Sequence, residues 1–301
     1  MLNGVLSVRS AIFILFRGMQ QPMSILESQN LNNSHIIRVC SAQITSTWED
    51  PEKTLTRAET FIRHAADCGA KLICFPEQFA TGWDPQPHKN IQDIHGSIIS
   101  SLQAYAKEYR IGILGSLREA HDPLPKNTAI AIGRDGRILT SYAKMHLFSF
   151  CHEHEANSPG TDLGIFTFDS LTCGIAICYD LRFPELFSLY AQKGVHAVFV
   201  PAAWPQSRIR HWELFITARA AENQMYVLGV NTTGKTPVDL YSGASMTADP
   251  HGTIISRADE AEQLLFSDID PGEVERTKSA FPIEKDRKNA LYHSLLTKKK
   301  E

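Results

Sequence analysis

The feature that most constrains the fold is an alternation of strand-like and helix-like segments that hairpins interrupt. Apolar runs such as IIRVCSAQI and HAVFVPAAW alternate with segments of helical pattern, which we expect over Asp50–Gly69, Ser97–Tyr109, Pro184–Gly194 and Arg208–Asn223. Pro51 in the first turn and Gly69 at the end are typical of helix boundaries. Such an alternation predicts parallel strands joined by crossover helices.

Three pairs of neighbouring runs, in contrast, are separated only by turn residues, which is the signal of antiparallel hairpins. The turns are predicted at Asp135–Gly136, Asp169–Ser170 and Asp249–Gly252. A chain with both kinds of connection is expected to form mixed sheets in a layered α/β sandwich. A TIM barrel or a single Rossmann unit is disfavoured.

The chain is long enough for a substantial core, with 301 residues of which 43% are hydrophobic. We predict one domain over 36–296 and a solvated basic tail over 297–301. The C-terminal part, poor in apolar residues, is expected to wrap around the surface.

Residues 1–35 are expected to be a disordered N-terminal extension, with a polar linker over 28–35. Its apolar stretch, Ala11–Phe16, is far too short to span a bilayer. Arginines on both sides, without an acidic residue before Glu27, leave organellar targeting as the alternative to a cytoplasmic location.

Charge and cysteine content narrow the class further. The net charge of −3 argues against nucleic-acid binding, which needs a clustered basic face. The six cysteines are too few for a stapled scaffold and contain no CxxC pair, so we expect a reducing compartment and no structural zinc. Cys40, Cys74 and Cys173 lie in apolar runs and are expected in the core.

Three reactive side chains share one position in the pattern, because each follows a predicted strand. They are Glu77 after LICFP, Lys144 after RILTSYA and Cys178 after CGIAI. Strand ends are where layered α/β folds commonly build their sites. A thiolate can attack a carbonyl carbon, a carboxylate can move protons, and an ammonium can stabilise the negative charge that develops. Taken singly, a buried core thiol and a solvated lysine would explain the same positions.

The segments FPEQFATGW, YAKMHLF and CYDLRFPE together resemble the three signature blocks of the nitrilase superfamily of carbon–nitrogen hydrolases. Later segments, PAAWP, HWELFITARAAENQMYV and GASMTADPHG, also resemble the family in the right order, so the similarity covers nearly all of 36–290. The resemblance implies a four-layer α-β-β-α sandwich with two mixed sheets. It also implies a homodimer or higher homo-oligomer and neither a metal nor an organic cofactor.

The resemblance also implies roles. Cys178 would be the nucleophile that forms a thioester, Glu77 the general base, and Lys144 the group that stabilises the tetrahedral oxyanion. A second glutamate of the family fits Glu153 better than Glu155. The chain is most similar to the omega-amidase branch, whose members release ammonia from 2-oxo acid amides such as 2-oxoglutaramate and 2-oxosuccinamate.

In that branch the arginine of the third block meets the substrate carboxylate, which nominates Arg182. Its bland alternative is an ion pair with Asp180 or Glu185. Tyr179 is also assigned to substrate binding. Aromatic residues flank the blocks and are expected either to form the pocket wall or to pack in the core: Trp83, Trp204, Phe79 and Phe148. Trp212, at helical spacing from Phe215, is predicted to be core.

Other chemistries fit less well. The segment CHEHE (residues 151–155) does not have the HExxH spacing of a metal site, and no GxSxG elbow surrounds Ser245. A papain-like pair would need His146, His196 or His211 next to the thiol. The remaining alternatives are an N-carbamoyl-amine or ureido hydrolase, a nitrilase, and a non-catalytic scaffold.

Overall fold

The computed structural model describes residues 36–298, and the predicted N-terminal extension lies outside them. Two six-stranded mixed sheets form the centre of the described part. The first sheet has the spatial order β14-β1-β2-β3-β4-β5. Its strands are β1 (Ile37–Gln43), β2 (Leu72–Cys74), β3 (Gly112–Glu119), β4 (Lys126–Ile132), β5 (Ile138–Ala143) and β14 (Gln263–Ile269).

The second sheet has the order β13-β12-β9-β8-β7-β6. Its strands are β6 (Gly164–Phe168), β7 (Leu171–Ile175), β8 (Ala197–Ala202), β9 (Tyr226–Asn231), β12 (Met246–Ala248) and β13 (Ile254–Arg257). A short antiparallel pair, β10 (Thr233–Lys235) and β11 (Leu240–Ser242), lies apart from both sheets. This pair was not predicted.

Each large sheet combines both predicted connections. Strands β1, β2 and β3 run parallel, as do β7, β8 and β9, whereas β4–β5, β6–β7 and β12–β13 are antiparallel hairpins. The three turns therefore lie where the sequence places them. Strand β14 returns to pair antiparallel with β1, so the end of the second half of the chain completes the first sheet.

The helices are α1 (Pro51–Asp67), α2 (Ser97–Tyr109), α3 (Glu153–Ala156), α4 (Pro184–Gln192), α5 (Ile209–Asn223), α6 (Pro271–Ala280) and α7 (Asn289–Thr297). Single 3₁₀ turns cover Ser149–Cys151, Cys178–Arg182, Gln206–Arg208 and Ile283–Asp286. The prediction for α2 is confirmed to the residue, α4 and α5 differ from theirs by one or two residues at one end, and α1 differs by one residue at its start and two at its end. The sequence reading did not foresee α3, α6 and α7 as helices.

Helix packing explains the layers. Helix α1 begins after Asp50, whose carboxylate accepts a hydrogen bond from the Lys53 N–H, and it buries Leu55, Ala58 and Ile62. With α2 it covers the outer face of the first sheet. Helices α4 and α5 pack on the second sheet, and the inner faces of the two sheets meet in one apolar core. The predicted four-layer α-β-β-α sandwich is confirmed. None of the helices described for 36–298 is long and apolar enough to cross a membrane.

Candidate active site

Four reactive side chains converge where strands of the two sheets end. Glu77 follows β2, Lys144 follows β5, and Cys178 follows β7, while Glu153 begins the short helix α3. Glu77, Lys144 and Glu153 are at most 1% exposed. The bland alternative for Lys144, a solvated charge at the end of a hairpin, is therefore wrong.

Lys144 lies between two carboxylates. Its Nζ donates to Glu77 Oε1 at 2.8 Å and to Glu153 Oε2 at 2.9 Å. Burial opposes the charged amine, but the carboxylates Glu153 and Glu77 outweigh it, so the pKa of Lys144 is well above its usual value. The Nζ also donates to Glu153 Oε1 at 3.1 Å, so both Glu153 oxygens hold the ammonium, which stays charged at neutral pH.

Glu77 is held by donors on both carboxylate oxygens. Asn127 Nδ2 donates to Oε1 at 2.7 Å, and the Ala203 N–H donates to Oε2 at 3.0 Å. Burial raises the pKa of the Glu77 carboxyl, Lys144 opposes that rise, and the negative charge of Glu153 adds to it. A carboxylate with a raised pKa is a better proton acceptor than an ordinary glutamate.

Cys178 begins a 3₁₀ turn and has a positive φ of 44°, a region that non-glycine residues rarely adopt. Its thiol interacts with the Glu77 carboxylate and with the Ala203 N–H. Burial and the neighbouring Glu77 charge raise the pKa of the thiol well above its usual value. The resting group is thus a protonated thiol beside a carboxylate that can remove its proton.

Glu153 rather than Glu155 reaches the cluster. The Glu153 carboxylate also accepts a 2.6 Å hydrogen bond from the Phe148 N–H, whereas Glu155 is exposed and accepts from His152. Gly160 lets the loop after α3 approach the backbone at Lys144. The Gly160 N–H donates to the Lys144 carbonyl at 2.9 Å, and a Cβ at this position would collide with the Ala143 carbonyl.

A carboxylate that the sequence suggested only as a partner of Arg182 fixes the turn at Cys178. Asp180 is fully buried and accepts hydrogen bonds from the Ile177 N–H and the Tyr142 hydroxyl, both at 2.8 Å. Its other oxygen accepts from the His146 N–H at 2.9 Å and lies 2.8 Å from His146 Nδ1. Asp180 therefore joins the segment after Lys144 to the turn that carries the thiol.

These contacts also separate the alternatives. Arg182 makes no ion pair with Asp180 or Glu185 in the described part of the chain, so the bland explanation of Arg182 is wrong. His146 is engaged by Asp180, and the cavity lining contains no histidine from residues 36–298. The histidines within 36–298 therefore do not form the papain-like arrangement in this cavity.

A narrow cavity with an internal volume of about 30 Å³ leads to Cys178 and Lys144. The remaining lining residues are Trp83, Phe148, Cys151, Tyr179, Arg182, Ala203, Trp204, Pro205, Arg208, Asp239 and Tyr241. Thus Trp83, Phe148, Tyr179, Arg182 and Trp204 line the same cavity as the thiol and the ammonium.

Phe79 does not line the cavity. It is buried and stacks on Phe75, with ring centroids 4.4 Å apart, under helices α1 and α2. The pocket-wall alternative for Phe79 is wrong because the tight turn after Glu77 directs the ring into the core. Trp212 is buried in the core as predicted.

Sequence reasoning missed Asn127, Asp180, Arg208 and Tyr241. Asn127 is an ordinary strand residue by pattern, and only its neighbours in space give it a role, whereas Tyr241 lies on the unpredicted strand β11 and lines the cavity. Asp180 and Arg208 had a weak signal, since each is a charge placed between apolar segments.

A protonated thiol, a carboxylate and an ammonium at adjoining strand ends of an α-β-β-α sandwich define a class, the hydrolases that cleave carbon–nitrogen bonds. The family model for carbon-nitrogen hydrolase matches residues 38–279, and the chain belongs to that family.

Curated relatives agree with this assignment. The chain is 31% identical to the 2-oxoglutaramate amidase of Bacillus subtilis (strain 168) over 83% of its length and 97% of that protein. It is 32% identical to the omega-amidase NIT2 of Homo sapiens over 83% of its length and 94% of that protein.

Solved structures agree as well. Nit3 of Saccharomyces cerevisiae, a member of branch 10 of the nitrilase superfamily, superposes with a TM-score of 0.78 at 29% identity. The match covers 84% of this chain and 97% of that chain. XC1258 of Xanthomonas campestris, a CN-hydrolase superfamily protein with an arsenic adduct in its active site, gives 0.80 at 25% identity and the same coverage.

Proposed function

We propose that the enzyme is an omega-amidase that hydrolyses the terminal amide of a small 2-oxo dicarboxylic acid, with Cys178, Glu77, Lys144 and Glu153 as its catalytic residues. The observation that carries the proposal is the cavity in which the Cys178 thiol and the Lys144 ammonium share the lining with Arg182, which forms no ion pair with any residue in 36–298. The names of the curated relatives support the same substrate class.

The first half-reaction forms a thioester. Glu77 accepts the thiol proton while Cys178 Sγ attacks the amide carbon, and the Lys144 ammonium stabilises the oxyanion. Collapse of the tetrahedral intermediate breaks the carbon–nitrogen bond, and Glu77 returns the proton to the leaving nitrogen, so ammonia departs.

The second half-reaction consumes water. Glu77 removes a proton from the attacking water, the second tetrahedral intermediate collapses, and the thiolate leaves and recovers its proton. The products are the free acid and the original thiol. Glu153 keeps Lys144 in place throughout, through the 2.9 Å contact described above.

Ammonia release tests the substrate and the mechanism. We expect the wild type to prefer 2-oxoglutaramate or 2-oxosuccinamate over glutamine, an N-carbamoyl amino acid and a simple nitrile. Cys178→Ala should lose turnover by at least about 10⁴-fold. A preference for the carbamoyl compound or the nitrile would overturn the substrate class, and ammonia release by Cys178→Ala would overturn the mechanism.

We also propose a homo-oligomer that works in the cytoplasm. The outer faces of α4 and α5 carry exposed leucines, Leu189 and Leu214, which suit a protein interface. All six cysteines are free, and Cys68 is exposed, which suits a reducing compartment. Light scattering should give a dimer mass or a multiple of it, and Leu189→Glu with Leu214→Glu should lower that mass. A monomer at micromolar concentration would contradict the proposal.

A further inference from the structure

The cavity contains a second arginine without a carboxylate partner. Arg208 lines the same space as Arg182, and neither guanidinium forms an ion pair with any residue in the range 36–298. The Cζ of Arg182 lies 4.7 Å from the ring centroid of Trp204, and that of Arg208 lies 5.3 Å from the ring centroid of Phe148. Stacking orients both groups and leaves their N–H edges for another partner.

The two arginines belong to one local structure. Trp204, the platform of Arg182, donates from Nε1 to the Arg208 carbonyl at 2.8 Å. Both guanidinium groups line one cavity. Burial lowers the pKa of Arg182, and the positive charge of Arg208 lowers it further. Two guanidinium cations in one cavity, neither paired with an anion within 36–298, create a positive local potential that attracts an anion.

Neighbouring groups in the described part of the chain do not neutralise this positive potential. Arg208 directly precedes α5, a 15-residue helix, whose N-terminal dipole adds positive potential. Asp239 lines the cavity, but its carboxylate accepts a 2.8 Å hydrogen bond from the Leu240 N–H and pairs with neither arginine in the described structure.

We propose that Arg208 is a second specificity-determining residue, which binds the 2-oxo acid end of the substrate together with Arg182 and disfavours 2-amino acids. This inference rests on the proposed function. A 2-oxo acid offers a carboxylate and a carbonyl oxygen, all acceptors that suit guanidinium donors. A 2-amino acid amide such as glutamine would place an ammonium near two guanidinium groups, where like charges repel.

The pocket charge can be measured without the proposed reaction. Iodoacetate and iodoacetamide alkylate the same thiol but differ in charge, so the ratio of their rate constants at Cys178 reports the local potential. We expect Arg208→Gln to lower the iodoacetate-to-iodoacetamide ratio roughly tenfold. Arg208→Lys keeps the charge and should preserve most of the ratio. The matched control is Arg210→Gln, since Arg210 is exposed and lies outside the cavity lining.

Steady-state kinetics then test the specificity. With 2-oxoglutaramate, Arg208→Gln should lower kcat/KM roughly 10- to 100-fold, mainly through KM, whereas glutamine should be affected less than threefold. The preference for the 2-oxo substrate over glutamine should therefore fall. Arg210→Gln should leave kcat/KM unchanged for both substrates.

The outcomes separate the two proposals. An unchanged alkylation ratio in folded Arg208→Gln, or an equal loss for 2-oxoglutaramate and glutamine, would overturn the role of Arg208. A changed ratio in an enzyme that does not hydrolyse 2-oxo acid amides would overturn the proposed function and retain Arg208 as an anion-binding residue. If Arg208→Gln melts at a lower temperature than the wild type, Arg208→Lys becomes the deciding variant. It keeps the positive charge, so a lowered iodoacetate-to-iodoacetamide ratio in this variant would contradict the proposal.

Discussion

Strained backbone positions accompany three of the four clustered side chains. Cys178 itself has a φ of 44°, Gln78 follows Glu77 with 47°, and His152 precedes Glu153 with 59°. Each such conformation costs on the order of 1–3 kcal/mol in a non-glycine residue and persists only where the surroundings hold it. Abrupt turns are what allow groups from separate strands to point at one small volume.

Asn127 illustrates a similar cost in hydrogen bonding. Its amide nitrogen donates to Glu77 at 2.7 Å and lies 3.4 Å from Glu153 Oε1, while its buried oxygen has no hydrogen-bond partner in 36–298. A buried oxygen without a partner costs about 1–3 kcal/mol. The orientation is therefore set by the need for a donor beside two carboxylates.

We expect Asn127→Ala to weaken catalysis by roughly 10- to 100-fold in kcat, because a hydrogen bond to a charged group is lost. Since that donor stabilises the ionised carboxylate, its removal should raise the pKa of Glu77 further. The acid limb of the kcat/KM profile should move to higher pH. A profile that keeps its acid limb in place would show that Asn127 acts on something other than Glu77.

Glu153→Gln should move the same limb the other way. Activity requires the Glu77 carboxylate, so it is lost as pH falls through the raised pKa of that group. The negative charge of Glu153 contributes to the rise. Its neutralisation should therefore lower the pKa of Glu77 and shift the acid limb to lower pH, while kcat falls roughly tenfold or more as Lys144 loses a partner. A limb displaced upward would contradict the assignment of Glu77 as the base.

At the scale of elements, the segment from β5 to β6 holds Lys144 and Glu153 together. It folds back on itself where Gly160 bonds to the Lys144 carbonyl, and a Cβ at this position would meet backbone rather than a flexible side chain. Close approach of two backbones is thus a condition for bringing Glu153 to the ammonium.

Gly160→Ala should displace this segment, lower kcat by roughly 10-fold or more and destabilise the fold by about 1–3 kcal/mol. Gly194→Ala is a matched control, since Gly194 has a φ of 74° but nothing within 4 Å of a Cβ. The control should lose about 1 kcal/mol through backbone strain alone, with normal kcat. Urea unfolding and ammonia release measure both; equal kcat values would refute the role of Gly160.

Local signals made most elements predictable. Asp50 and Pro51 mark the start of α1, and each hairpin has its own turn residues, so these predictions needed no tertiary information. Helices α6 and α7 were missed because few of their residues are buried, which leaves little hydrophobic periodicity. Strand ends indicated where Glu77, Lys144 and Cys178 lie, but Asn127 and Asp180 depend on which strands become neighbours, and that is decided by the whole fold.

At the scale of the molecule, complementary small and large residues lock the two sheets together. Gly112 on β3 leaves room for the ring of Phe168 on β6, and a Cβ at Gly112 would collide with that ring. Gly164 does the same for Tyr142 from the other side, with the Tyr142 Cβ 2.5 Å from where a Cβ would lie. The distance between the sheets is set by these contacts.

Gly112→Ala should therefore destabilise the molecule by about 1–3 kcal/mol through overpacking. Adding Phe168→Leu, which shortens the opposing side chain, should recover at least half of that loss. The midpoint of urea unfolding measures both variants. If the stability losses of the two single variants simply add in the double variant, the two positions do not share the contact.

The division of the cluster between the sheets has a consequence for when the thiol becomes reactive. Glu77 and Lys144 belong to the first sheet and Cys178 to the second, with Asp180 and Tyr142 bridging them. Neither half of the chain carries a complete set of groups, so a chain still being synthesised has no activated nucleophile until its halves have met. Two fragments produced by cleavage between the exposed residues Thr161 and Asp162 would each be inactive. The rate of ammonia release after they are mixed would measure the fraction of molecules that has reassembled.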